Sequence, residues 1–221
     1  MDGENCDYLL NYIIIGNSAV GKTSLILRLN NKAISDNYSQ TIGVEFNKFN
    51  IELNNKKYSL RIYDTWGFEI YNQVVVPYFK KLACALIVYG IDNRESFDNI
   101  ENMIEKIKNL APKTVLMILI GNKSDLNDNR TDTEEEGMKF AKKNGMVFFE
   151  TSVKKGDNSI EEVFKKSVET IAKQIDKKYY NLKNDKCGII KPQLDYRIFP
   201  EDTSEKENKS NKKSCCLNCF K

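Results

Sequence analysis

Gly16-Asn17-Ser18-Ala19-Val20-Gly21-Lys22-Thr23 sets two glycines, a lysine and a hydroxyl at the spacing GxxxxGK[ST]. It directly follows an apolar run and directly precedes a helical one. That is where a phosphate needs it, because loop N–H groups can wrap the anion and a helix N-terminus adds positive dipole. Lys22 would reach the β- and γ-phosphates. The Thr23 hydroxyl would bind Mg²⁺, a hard cation that prefers oxygen. Gly16, Ser18, Ala19, Val20, Gly21, Lys22, Thr23 and Ser24 thus form the expected phosphate cradle. The bland alternative, a tight turn with an incidental lysine, does not account for the strand–loop–helix context.

Two more polar clusters follow apolar runs: Asn122-Lys123-Ser124-Asp125, and Glu150-Thr151-Ser152-Val153-Lys154. Both would sit at the carboxyl ends of strands, where open α/β sheets bind ligands. Taken alone, Asn122 to Asp125 is equally well a polar turn.

The elements that must position these clusters alternate along the chain. Tyr8 to Ile15 is an apolar strand, followed by Leu25, Ile26 and Leu29 at helical spacing. Val44 to Leu53 and Tyr58 to Tyr63 read as strands joined by Asn54-Asn55-Lys56, and the Asn pair tolerates positive φ. Leu82 to Tyr89 and Val115 to Ile120 are continuously apolar, as buried strands are. Phe97, Ile100, Ile104, Ile107 and Leu110 mark one amphipathic helix. Thr133 to Asn144 is a helix closed by Gly145, and Met146 to Phe149 a short strand. A last helix, capped by Asn158 or Ser159, carries Ile160, Val163, Phe164, Val168 and Ile171 on one face. The expected class is α/β: a six-stranded, mostly parallel sheet with one antiparallel edge strand and helices on both faces.

Composition excludes whole chemistries. The 221 residues contain no histidine, which removes Ser-His-Asp and Cys-His catalysis and histidine metal sites. No apolar window is long enough to cross a membrane. The acidic start lacks the basic n-region of a secretory signal, and Asp2 rules out N-myristoylation. The six cysteines do not read as a disulfide framework, and Cys84, inside an apolar strand, reads as a small core residue. The net charge of +3 is uneven, because residues 176–221 hold 11 Lys+Arg against 7 Asp+Glu. The expected division is an extension at 1–7, one folded domain at 8–175, and a disordered tail at 176–221.

With these motifs in this order, residues 8–175 resemble a small GTPase of the Ras superfamily, a P-loop NTPase G domain. The resemblance implies that Asp125 accepts from the guanine N1 and exocyclic amine, a pair adenine does not offer. It implies that Asn122 braces the loop, that Lys123 packs along the base, and that the backbone of Ser152, Val153 and Lys154 meets the guanine oxygen. The Rab branch fits best. Thr41-Ile42-Gly43-Val44-Glu45-Phe46, the stretch from Tyr71-Asn72 to Pro77-Tyr78-Phe79-Lys80, and Ile91 to Phe97 are similar to Rab segments. Phe46, Tyr63 and Tyr78 would form a hydrophobic effector triad, although Rabs usually carry Trp where this chain has Tyr63. Ordinary core packing is the alternative for these aromatics. A Rho-like reading needs an insert between Asp125 and Thr151, an Arf-like one needs Gly at position 2, and a P-loop kinase or ATPase does not explain Asn122 to Asp125.

The same resemblance assigns a switch. Asp64-Thr65-Trp66-Gly67 matches DxxG. Asp64 would hold Mg²⁺ through water, the Gly67 N–H would touch the γ-phosphate, and Thr41 would complete the metal shell only with GTP bound. The expected catalytic set is Lys22, Thr41 and Gly67, and the metal set Thr23, Thr41 and Asp64. Two positions depart from the family pattern DTAGQE. Phe68 stands where a glutamine orients the attacking water, and Trp66 where a small alanine leaves room. Weak hydrolysis is expected. A non-hydrolysing GTP-binding scaffold, or a repacked segment that binds an unusual partner, are the alternatives. Ile34 replaces the aromatic that usually stacks on guanine.

Cys215 and Cys216, after a lysine-rich stretch, resemble a Rab prenylation site. Asn218 stands fourth from the end, so no CaaX box is present. Cys219 as acceptor, palmitoylation, or an unmodified tail remain alternatives. The implied partners are an exchange factor, an activating protein, effectors, a GDP-dissociation inhibitor and the prenylation machinery. The implied site of action is the cytoplasmic face of an intracellular membrane, with a cytosolic pool, for a monomer that does not bind nucleic acid.

Overall fold

A continuously apolar strand needs cover on both faces, and Tyr8–Ile15 (β1) is buried along its whole length. The computed structural model describes residues 6–32, 43–65, 75–182 and 185–192. Beside β1 run β3 (Lys56–Thr65) on one edge and β4 (Cys84–Gly90) on the other, both parallel to it. Next to β4 come β5 (Leu116–Asn122) and β6 (Val147–Glu150), also parallel. At the far edge β2 (Val44–Leu53) pairs antiparallel with β3. The turn between them holds Asn54 and Asn55 at φ 50° and 58°, the two positive angles that the Asn pair was expected to supply. The order is β2-β3-β1-β4-β5-β6.

Alternate side chains of the strands feed two cores. On one face Leu10, Tyr12, Ile14, Leu86 and Val88 meet helix α1 (Lys22–Leu29) and the long helix α6 (Ser159–Asp176). On the other, Ile13, Ile15, Ala85 and Ile87 meet helices α2 (Val76–Phe79), α3 (Arg94–Asp98), α4 (Ile100–Leu110) and α5 (Glu134–Lys143).

Four details differ from the expectation. The single helix read from Phe97 to Leu110 is two, divided at Asn99, although its apolar face stays continuous across the break. The short α2, with Pro77 in its first turn, carries too few residues to show a period. The start of α6 is held not by Asn158 or by Ser159 acting as an acceptor, but by Asp157, whose carboxylate accepts from the Ser159 N–H at 3.1 Å and from its hydroxyl. The largest difference is a seventh strand. After α6 the chain turns back, buries Tyr180 and Cys187, and adds β7 (Ile189–Ile190) antiparallel to the amino end of β1. β7 pairs with Leu9 and Leu10, while β4 takes the same edge of β1 from Tyr12 onward. Asn11 sits between them: its N–H donates to the Gly188 carbonyl at 2.9 Å and its own carbonyl accepts from Ala83 at 2.9 Å. The folded part therefore runs past the boundary expected at 175. No described helix is long and apolar enough to cross a membrane.

Candidate functional site

The phosphate loop leaves the carboxyl end of β1 where β4 crowds it. A Cβ on Gly16 would lie 2.2 Å from the Val88 carbonyl oxygen, so no larger residue fits there. Ala19 at φ 60° and Gly21 at φ 96° curl the loop back toward α1. A Cβ on Gly21 would lie 2.4 Å from the Asn122 amide nitrogen. Lys22, although charged, is almost fully buried. Its ammonium folds over the loop and donates to the carbonyls of Gly16 at 3.0 Å and Asn17 at 2.8 Å. α1 begins at Lys22 with no side-chain cap, so its first N–H groups have no intrahelical acceptor.

The carboxyl end of β3 brings Asp64 beside this loop. Thr23 Oγ1 donates to Asp64 Oδ2 at 2.6 Å across 41 residues of chain. Asp64 is completely buried, and its Oδ1 has no partner among the described residues. Burial raises its carboxyl to about 6, against the lowering effects of the Thr23 hydrogen bond and the Lys22 charge. A half-buried hydroxyl, an orphaned carboxylate oxygen and a nearby phosphate cradle are donor chemistry that would suit Mg²⁺. Thr65 Oγ1 donates to the Ile14 carbonyl at 2.9 Å and ties β3 to β1 beside the loop.

The two later polar clusters are braced by four sets of contacts. Asn122 Nδ2 donates to the Val20 carbonyl at 2.8 Å, and Asn122 Oδ1 accepts from Thr151 Oγ1 at 3.1 Å. One buried amide thereby links the phosphate loop to the two polar clusters. Asp125 accepts from the Ser152 hydroxyl at 2.6 Å, and Ser152 Oγ in turn accepts from the N–H groups of Lys154 and Lys155 at 3.1 Å. Arg130 clamps Glu150 with both terminal nitrogens at 2.7 and 2.8 Å, fixing the start of the second cluster. Lys123 holds φ 66° and donates to Asp92 Oδ2 at 3.0 Å.

The structure thus gathers Gly16 to Ser24, Asp64, Asn122 to Asp125 and Ser152 to Lys154 at the carboxyl ends of β1, β3, β5 and β6. Ile34, Thr41, Trp66, Gly67, Phe68, Cys215, Cys216 and Cys219 lie outside the described residues. Phe46, Tyr63 and Tyr78 form one contiguous ring cluster, with centroids 5.9 and 4.5 Å apart, and Phe46 is 56% exposed. Asp92 and Arg130 were not anticipated. Both act on motif residues distant in the chain, and no local pattern announces such a pair.

This arrangement of strand order, phosphate loop and two polar clusters at strand ends defines the α/β fold of a P-loop GTPase. The Ras family model matches residues 11–173. Ras-related protein Rab-2B of Dictyostelium discoideum is 40% identical over 170 residues, covering 77% of this chain and 84% of that protein. Ras-related protein Rab-4 of the same organism is 38% identical over 177 residues, covering 80% and 86%. The chain belongs to the Rab family of small GTPases, within the Ras family.

Proposed function

We propose that this chain is a Rab-like GTP-binding switch of intracellular vesicle traffic, with slow intrinsic hydrolysis. The observation that carries the guanine reading is the brace Val20–Asn122–Thr151 together with Asp125–Ser152, which ties the segment carrying the Asp125 carboxylate to the phosphate loop. Asp125 selects guanine, Lys123 lies along the base, and Ser152, Val153 and Lys154 meet the guanine oxygen. Lys22 and the loop N–H groups hold the β- and γ-phosphates. Thr23 and Asp64 hold Mg²⁺, with Thr41 joining in the GTP state and Gly67 on the γ-phosphate. Mg²⁺, when bound there, would neutralise the charge that develops as the γ-phosphoryl group passes to water and GDP departs. Phe46, Tyr63 and Tyr78 offer effectors a surface of linked rings. Family membership supports regulators and effectors as partners, and we extend this to an exchange factor, an activating protein, a GDP-dissociation inhibitor and the prenylation machinery. Lipid on Cys215 and Cys216 would place the protein on the cytoplasmic face of an internal membrane. The intact mass of the protein from its own cells should show two prenyl additions, and an unmodified mass would remove this anchor.

Slow hydrolysis follows from Phe68. Phosphoryl transfer to water depends on positioning the nucleophile, and a phenyl ring cannot hydrogen-bond to it. Single-turnover hydrolysis by the Phe68→Gln variant should exceed the wild-type rate on the order of tenfold. A wild-type rate equal to that of ordinary family members, with no gain in the variant, would refute slow hydrolysis. The pairing of Trp66 with Phe68 favours a second reading, a scaffold held in the GTP form. That reading predicts GTP binding with no turnover in either protein.

A further inference from the structure

We infer that Asp92 is a positioning residue for Lys123, holding the ammonium so that the lysine stem is set in place before the base arrives. The inference rests on the role proposed above for Lys123 at the guanine ring. Asp92 lies just past the carboxyl end of β4 and Lys123 just past that of β5. The two strands are in register to Gly90 and Asn122, and the Ile91 N–H donates to the Asn122 carbonyl at 3.0 Å. The ladder therefore fixes the two side chains relative to one another, 31 residues apart in sequence.

The pair is built into its surroundings. Lys123 Nζ and Asp92 Oδ2 are 3.0 Å apart, and the side chains are only 30% and 22% exposed, so salt screens the contact less than a surface pair. A Cβ on Gly90 would lie 2.5 Å from Asp92 Oδ1 and 3.7 Å from Lys123 Nζ. The carboxylate occupies the space that a side chain at position 90 would take. Asp92 Oδ1 is buried and has no partner among the described residues, so the carboxylate has no hydrogen-bonding need met there other than by Lys123. Lys123 itself holds φ 66°, a left-handed conformation that lysine rarely adopts, which turns its side chain back over the β4 end.

A lysine stem has four rotatable carbons and loses that freedom when it is laid along a ring. Pinning the ammonium in advance removes part of that cost from nucleotide binding. Loss of Asp92 should therefore appear as faster nucleotide release and depend on Lys123 being present.

The test uses the full chain loaded with a fluorescent GDP and chased with excess GDP at constant Mg²⁺. Asp92→Asn, which is nearly isosteric, should speed release about tenfold, the range of coupling between residues in contact. Gly90→Ala, which crowds the carboxylate without removing it, should act in the same direction. In a Lys123→Ala background, Asp92→Asn should change release by less than twofold. If Asp92→Asn speeds release equally in both backgrounds, or in neither, the positioning role is overturned. If Lys123→Ala alone leaves release unchanged, the proposed base contact of Lys123 fails, and this inference falls with it. Thermal unfolding of the same proteins identifies a general loss of structure, which would lower the melting temperature of Asp92→Asn in both backgrounds alike.

Discussion

Asp64→Asn should make the metal-free protein more stable at pH 7 while removing the stabilisation that Mg²⁺ brings. The carboxylate is completely buried, and among the described residues its Oδ1 has no hydrogen-bond partner while Oδ2 accepts from Thr23 Oγ1 at 2.6 Å. Burial raises its pKa to about 6, with the Thr23 hydrogen bond and the Lys22 charge opposing the rise. The unfolded chain titrates near 4, so the folded state binds the proton more tightly. Stability conferred by the protonated form is then complete below about pH 4 and lost as pH rises toward 6. Above that, the buried charge costs about 3 kcal/mol, two pKa steps of about 1.4 kcal/mol each. Asparagine keeps an oxygen for Thr23 and carries no charge. In chelator at pH 7, urea unfolding of the variant should have the higher midpoint, and the gap should close as pH falls toward 4. With Mg²⁺ and GDP the order should reverse, because only the carboxylate gains from the cation. The Mg²⁺ effect on the wild type should also weaken below about pH 6, where the proton competes. A variant less stable than wild type in chelator at pH 7 would mean that Thr23 and Lys22 outweigh desolvation.

The parts of this molecule legible in the sequence are those written in short, local patterns. The phosphate loop carries its chemistry in eight consecutive residues, and its strand–loop–helix setting shows in the apolar runs on either side. The β2–β3 turn was readable because Asn54-Asn55 tolerates the positive φ that such a hairpin demands. The parallel strands were readable because burial on both faces leaves them continuously apolar. The contacts that complete the site are of another kind. Asn122 to Val20 spans 102 residues, Thr23 to Asp64 spans 41 and Lys123 to Asp92 spans 31. Each becomes visible only when strand order brings two carboxyl ends together. The family resemblance anticipated that Asn122 braces and that Asp64 lies near Thr23. It placed Asp92 in a Rab-like segment but did not anticipate its contact with Lys123, which no pattern along the chain announces.

β7 was illegible for a different reason. Two isoleucines between Gly188 and Lys191 have no period, and the surrounding lysines and asparagines suggest a solvated tail. What holds them is the shape of the sheet. β4 does not begin to pair with β1 until Tyr12, and this leaves Leu9 and Leu10 with an open edge buried in the core. An unpaired buried strand edge is costly, and the returning chain fills it.

Gly188→Val should release this returning segment and leave the rest of the domain folded. Gly188 has φ +71°, and a Cβ there would lie 2.4 Å from both the Ala83 nitrogen and the Leu82 carbonyl carbon. Those atoms belong to the buried backbone just before β4 and cannot swing aside as a side-chain tip would. Valine adds a branched Cβ in a region of φ that such residues avoid. The strain can end in two ways: distortion of the central sheet, or detachment of residues 185–192. Docking is the weaker of the two. Burial of Cys187 and Ile189 is opposed by the conformational entropy of ordering the segment's backbone, so its net attachment is small beside that of the central sheet. Detachment is therefore the expected response, at a loss of no more than a few kcal/mol. Hydrogen exchange should quicken at Ile189, Ile190 and the Asn11 amide, which donates to Gly188, while Ile13 and Ile14 stay protected by β3 and β4. GDP binding should survive, because the nucleotide cluster sits at the opposite end of β1. Collapse of cooperative unfolding would instead make the segment an integral strand of the sheet.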